Sequence, residues 1–363
     1  MSHPAINWKF TPHPLVRGGH LQSILGIHWP RQVAPYQATQ HSIPLGDGDQ
    51  LVLHEDVPVA VTDATPSVLL IHGLGGCHQS AYMSRMAEKL TAGGYRAFRL
   101  DMRGCGAGAQ EAKLPNHCGR STDLSAALHY IAELYPESGT SVVAYSMGGT
   151  LTLNLLAETG EMRVGNLERA FVICPPLDLA HVEQHFRTFW GRRYDKFFVS
   201  LIWDQIVNRW QRFPEIAPAE IPKRPKRMRD IDELVIAPVS GFDSAEDYYA
   251  QASPAQKLAA IKQPLTIIFA EDDPVVPVEP LFQTLRSDAI EVVTTRHGGH
   301  LGFLGANSDD PDFRWLDWRI LDWLAEGCTL QVSQEAAAAN VRNETAHSSP
   351  QPHLQPELQT QPR

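Results

Sequence analysis

Ser146 stands in the run Ala144-Tyr145-Ser146-Met147-Gly148-Gly149, just ahead of an apolar stretch that begins Thr150-Leu151. A serine among small residues, between a short apolar run and a helical pattern, is the pattern of a nucleophile elbow. The small neighbours let the backbone turn sharply and hold Oγ exposed beside a helix N-terminus. A serine hydroxyl is a weak nucleophile, so it needs a base, and that base needs a carboxylate to orient it. Downstream, Ala270-Glu271-Asp272-Asp273-Pro274-Val275-Val276-Pro277 offers two carboxylates side by side. Further on, Arg296-His297-Gly298-Gly299-His300-Leu301-Gly302-Phe303 offers two imidazoles. Upstream, the turn His72-Gly73-Leu74-Gly75-Gly76 can present the Leu74 N–H, which with the N–H of Met147 would form an oxyanion hole for a tetrahedral intermediate. The chemistry these residues suit is acyl transfer. His72 itself reads as a hydrogen-bonding loop residue, and Asp101, which precedes the serine, as a brace for the Arg103-Gly104 turn.

Each of these groups needs a rigid element behind it, and the hydrophobic pattern supplies one. Apolar strand-like runs cover residues 68–71, 95–100, 141–145, 171–174, 265–269 and 290–294. Helical patterns lie between them: Met83, Met86, Ala87 and Leu90 recur at i, i+3, i+4 and i+7 before Gly93-Gly94 stops the run, and Leu124, Leu128 and Ile131 mark another. Strands alternating with helices imply an α/β fold with a mostly parallel sheet covered on both faces. Ligands of such sheets gather at the carboxyl ends of the strands, where the candidate residues fall.

Residues 180–258 interrupt this rhythm and read as a cap or lid inserted over one end of the sheet. Phe186, Phe189, Trp190, Phe197, Phe198, Trp203 and Trp210 within it suit either an acyl pocket or the cap's own core. Lys223-Arg224-Pro225-Lys226-Arg227-Met228-Arg229 packs five basic residues into seven positions and reads as a solvated loop. Residues 329–363 contain six Gln, four Pro and no Phe, Trp or Tyr, the composition of a disordered tail. The expected organisation is an N-terminal arm over 1–45, a core over 46–179 and 259–328, the cap, and the tail.

The formal net charge of −10, from 31 Lys plus Arg against 41 Asp plus Glu, argues against nucleic acid as a partner. Five cysteines without a C-x-x-C pair argue against a disulfide framework and for a reducing compartment. No secretory leader pattern and no apolar run of transmembrane length are present, so the expectation is a soluble, cytoplasmic protein. Sixteen histidines include no H-E-x-x-H, and Gly104-x-Gly106-x-Gly108 lacks the context of a dinucleotide site, so neither a metal nor a cofactor is expected.

Taken together, the motifs resemble the YheT-type hydrolases, family four of the α/β-hydrolase superfamily. The resemblance runs from His20-Leu21-Gln22-Ser23-Ile24 to about Leu324. It is carried by the His-Gly-Leu-Gly-Gly loop, Arg103-Gly104-Cys105-Gly106, Tyr145-Ser146-Met147-Gly148-Gly149, Cys174-Pro175-Pro176-Leu177-Asp178-Leu179, Ala237-Pro238-Val239-Ser240-Gly241-Phe242, Tyr248-Tyr249, Asp272-Asp273-Pro274 and Gly298-Gly299-His300-Leu301-Gly302-Phe303. Ala144 stands where Gly is common, Met147 where Leu is usual and Ile236 where Thr is common. The resemblance implies an α/β-hydrolase fold and a serine esterase or lipase-like enzyme acting on short- to medium-chain acyl esters or lipids. It selects Asp273 over Asp272, because the family aspartate directly precedes this proline, and His300 over His297, because of the Gly-Gly-His pattern. The implied catalytic set is Ser146, Asp273 and His300, with a small acyl ester as partner and no more than transient membrane contact. An alcohol acyltransferase using the same acyl-enzyme, and a non-catalytic binding scaffold, are the alternative readings.

Overall fold

The computed structural model describes residue 6, residues 8–29 and residues 35–326. The expected tail and Cys328 lie outside the described residues. The chain falls into two compact units: Asn7–Ile320, and a small one that holds Ile6 and the described residues from Leu321 onward. In the small unit the Ile6 N–H donates to Glu326 Oε1 at 3.1 Å.

The large unit is built on eight strands: β1 (Thr39–Pro44), β2 (Gln50–Asp56), β3 (Ser67–Ile71), β4 (Arg96–Asp101), β5 (Thr140–Tyr145), β6 (Leu167–Ile173), β7 (Leu265–Ala270) and β8 (Ile290–Thr295). They form one sheet in the order β1-β2-β4-β3-β5-β6-β7-β8. β1–β2 and β2–β4 pair antiparallel, and every other pair is parallel. β3, β5 and β7 are buried along their whole length, which is why they read as unbroken apolar runs.

Two strands have no counterpart in the sequence reading. β1 lies within the residues assigned to the arm, and β2 directly follows them. β1 (Thr-Gln-His-Ser-Ile-Pro) is an edge strand with one buried side chain, Ile43. β2 ends in His54, Glu55 and Asp56, so its polar half hides it from a hydrophobicity scan. Those acids have partners on β4: Arg96 donates to Glu55 Oε1 at 2.7 Å, and Arg99 forms a two-pronged pair with Asp56 at 2.7 and 2.9 Å. The two arginines sit inside the sheet because β2 neutralises them.

Helices α1 (Gly19–His28), α2 (Ala81–Ala92), α3 (Ser121–Leu134) and α4 (Met147–Thr159) come next in the frame. α2 buries Met83, Met86, Ala87 and Leu90, as its spacing demands. Between β6 and β7 lies a helical insertion: α5 (Leu179–Phe186), α6 (Gly191–Arg212), α7 (Met228–Ile231), a π-helical turn (Asp232–Ile236), α8 (Ala237–Ser240) and α9 (Ala245–Ala252). Val199, Ile202, Trp203 and Ile206 on one face of α6 pack with Ile231, Val235, Tyr248 and Tyr249, and Met147 at the start of α4 joins this cluster. A short helix α10 (Glu279–Gln283) precedes β8. No helix among the described residues is long and apolar enough to cross a membrane. Cys77, Cys105, Cys118 and Cys174 are free thiols.

Candidate active site

The turn from β5 into α4 is tight enough to force Ser146 to φ 51°, ψ −120°, a conformation that costs a non-glycine residue of order 1–3 kcal/mol. Its neighbours explain the glycines. A Cβ on Gly148 would lie 2.7 Å from the His72 carbonyl oxygen and 2.8 Å from Ile71 Cγ2, and one on Gly149 would lie 3.0 Å from Pro175 Cβ. Ala144 is fully buried within β5, so the methyl group it adds is accommodated before the turn begins.

Three side chains from three strand ends meet here. His300 Nε2 lies 3.0 Å from Ser146 Oγ, and His300 Nδ1 lies 2.8 Å from Asp273 Oδ2. The other oxygen of Asp273 accepts the N–H groups of Val275 and Val276 at 2.8 and 3.0 Å. All three residues are buried, with relative exposures of 7–8%. The rival pair lies together elsewhere: His297 Nδ1 is 3.2 Å from Asp272 Oδ2, and the His297 side chain is half exposed. Asp272 also accepts the Gly299 N–H at 2.9 Å, so it shapes the histidine loop.

The loop after β3 runs beside the serine. A Cβ on Gly73 would lie 3.1 Å from Ser146 Cβ. Among the described residues the N–H groups of Leu74 and Met147 have no hydrogen-bond partner, which leaves both available to an oxyanion. His72 is fully buried; Nε2 accepts the Met102 N–H at 3.1 Å, so Nδ1 carries the proton and donates to the Gly73 carbonyl at 2.8 Å. Burial lowers its pKa and keeps it neutral, as befits a loop residue. Asp101 holds the loop that Arg103-Gly104 opens, and two histidines besides. It accepts from His54 Nε2 at 3.0 Å, from His78 Nδ1 at 2.7 Å and from the Ala107 N–H at 2.7 Å. Burial pushes its pKa up, but the bonds from His54 and His78 outweigh that and hold the carboxyl well below the usual range. Arg103 itself is held by Asp47, Asp49 and Asp123.

Sequence reasoning passed over Ser23, although it lies in the quoted His20–Ile24 run. On α1, its Oγ donates to the Gly19 carbonyl and accepts the backbone N–H of His300, both at 2.7 Å. Gln22 holds the same loop by accepting the Leu304 N–H at 2.7 Å. The only signal was that polar residues sit in an otherwise apolar helix. Ser23→Ala is expected to lower kcat on an ester substrate about tenfold with KM unchanged, since one buried hydrogen bond to the histidine backbone is lost. Parallel kinetics and melting curves check this; a matching rise in KM would contradict a positioning role.

Ser146 opens onto a cavity of about 840 Å³ beneath the helical insertion. Leu74, Met147, Leu179, Val182, Phe186, Phe198, Val199, Ile202, Val275 and Val276 line it. The aromatics of the insertion therefore divide: Phe186 and Phe198 face the cavity and Trp203 is in the insertion's core. Phe189, Trp190 and Phe197 are exposed. Asp232, in the π-helical turn, also lines the cavity. Burial raises its pKa to about 7, and the bond from Tyr249 Oη at 2.6 Å only partly opposes this. Residues 224–229 of the basic run form part of the cavity's edge; Arg227 pairs with Asp230, and Arg229 with Glu246.

A parallel sheet with one antiparallel end, a strained serine between strand and helix, and an acid and histidine from later strand ends define an α/β-hydrolase. The chain belongs to that family: the profile described as alpha/beta hydrolase fold matches residues 66–306. Its relatives include the YheT protein of Escherichia coli strain K12, 30% identical over 322 residues, which are 87% of this chain and 93% of that one. Phospholipase ABHD3 of Mus musculus is 26% identical over 74% of this chain and 67% of its own length. Among solved structures, the Pyrococcus furiosus esterase Pf2001 superposes with a TM-score of 0.51 at 16% identity, covering 82% of this chain and 98% of that one, a likeness of fold.

Proposed function

We propose that this chain is a serine hydrolase that cleaves carboxylic esters through an acyl-enzyme, with Ser146, His300 and Asp273 as its catalytic residues. The observation that carries this is the unbroken row Ser146 Oγ–His300 Nε2 and His300 Nδ1–Asp273 Oδ2, at 3.0 and 2.8 Å, opening onto an apolar-walled cavity. Ser146 Oγ attacks the ester carbonyl while His300 Nε2 takes its proton. The N–H groups of Leu74 and Met147 receive the oxyanion. His300 then hands the proton to the departing alcohol oxygen, leaving the acyl group on Ser146. Water repeats the sequence and frees the acid. Asp273 accepts from His300 Nδ1 and holds the ring with its Nε2 lone pair towards the serine. The phospholipase name of one relative supports an ester substrate.

The cavity volume lies within the usual range of small-ligand sites, about 300–1,000 Å³, and its apolar walls suit a short- to medium-chain acyl group. The insertion between β6 and β7 acts as its cap. A p-nitrophenyl ester series from acetate to palmitate tests the reading. Turnover with an optimum at short to medium chains is expected; no turnover at any length would overturn it.

A further inference from the structure

The cavity contains a charge that the ester chemistry leaves unused. Arg209 lies in the last turn of α6, is only 8% exposed, and lines the cavity. Its guanidinium rests on the backbone of Gly104, with one long contact from Nη2 to the Gly104 carbonyl at 3.4 Å. Nε has no partner, and among the described residues no carboxylate pairs with Arg209. Other buried arginines of this protein behave differently: Arg85 has Asp317, Arg96 has Glu55, and Arg103 has three acids. Burial lowers the pKa of Arg209, and the attraction of Cys105 and Asp49 does not offset it. Asp49 is already taken up by Arg103 and by the N–H groups of Lys113 and Leu114. A buried cation without a counter-charge is costly, and the open cavity beside it is where a counter-charge can enter.

The position along α6 says where on a substrate that counter-charge would lie. Ile202 packs at the oxyanion loop, where a Cβ on Gly75 would be 3.7 Å from Ile202 Cδ1. Arg209 is seven residues further along the same helix, about 10 Å along its axis at 1.5 Å per residue, so its backbone lies two turns beyond the residue at the oxyanion loop. The chain's net charge of −10 would repel an anion in general. The exposed side chains of Arg224 and Lys226 at the cavity's edge, in no ion pair among the described residues, give its approach the opposite sign.

We infer that Arg209 is an anion-binding residue of the substrate cavity, and that the enzyme takes esters carrying a carboxylate or phosphate at the end of the chain remote from the scissile carbonyl. This rests on the cavity being the ester site, and the test is arranged so that the two readings fail separately. Ser146→Ala protein, whose turnover is expected to be lower by at least about 10³-fold, is titrated calorimetrically with monomethyl suberate, with its neutral counterpart dimethyl suberate, and with octyl phosphate. At least one of the two anions is expected to bind ten-fold or more tightly than the neutral ester, and the tighter of them names the anion. Adding Arg209→Met should bring the ratio to about one. Arg209→Lys, which keeps the charge but loses the two-pronged geometry, should give an intermediate ratio and covers the case in which the methionine variant does not fold. Equal affinities for anionic and neutral probes, or a preference that survives Arg209→Met, would overturn the inference. Absence of ester turnover by the wild type would overturn the esterase reading and leave these binding results intact.

Discussion

Asp273→Asn is expected to lower kcat/KM on a p-nitrophenyl ester by roughly 10⁴-fold while leaving the fold intact. The reason lies in how the carboxylate is shared. Oδ1 accepts two backbone N–H groups, from Val275 and Val276, and Oδ2 faces His300 Nδ1. An asparagine can keep its carbonyl oxygen on the two N–H groups, and it then turns its amide NH₂ towards His300. Nδ1 must accept, so the ring proton moves to Nε2 and points at Ser146 Oγ. The imidazole remains in place but has no lone pair for the serine proton. Steady-state kinetics together with an unchanged melting temperature check this; activity within tenfold of wild type would remove Asp273 from the triad and return Asp272 to consideration.

Ser146→Ala is expected to remove at least about 10³-fold of kcat/KM, because the alternative is direct attack by water with only binding and the oxyanion donors to help. The variant should fold as well as the parent or better. Removing Oγ deletes one hydrogen bond to His300, but alanine tolerates φ 51° no worse than serine and keeps the Ser146 N–H bond to the Ile173 carbonyl. No neighbouring thiol can replace the hydroxyl: Cys174 is fully buried, and burial holds its pKa far above that of an ordinary thiol. Comparable rates in the two proteins would exclude Ser146 as nucleophile.

The site was legible where local chemistry alone dictates residue type. A sharp strand-to-helix turn needs small residues around one exposed serine, and a Gly-Gly-His loop stands out in any context. The central strands were legible because burial on both faces demands continuous apolar runs. What escaped was what only tertiary proximity defines. β1 was missed because an edge strand with one buried side chain carries no hydrophobic pattern, and β2 because its pattern is diluted by His54, Glu55 and Asp56, whose partners lie more than forty positions away on β4. Ser23 was missed because its partner, His300, is 277 positions away and is bonded through its backbone. The sequence shows Asp101 beside the Arg103 loop that it holds, but not the two histidines that reach it from elsewhere in the chain. The basic run read as a free loop; three of its side chains are exposed at the cavity's edge, a relation invisible before the insertion folds.

The central claim is that Ser146 Oγ is the group that becomes acylated. The most direct measurement is intact-protein mass spectrometry after exposure to an alkyl fluorophosphonate, followed by peptide mapping. One adduct is expected on wild type, located on the peptide carrying Tyr145-Ser146-Met147, with no adduct on Ser146→Ala and much slower labelling of Asp273→Asn. An unlabelled wild type, or an adduct that persists in Ser146→Ala, would contradict it.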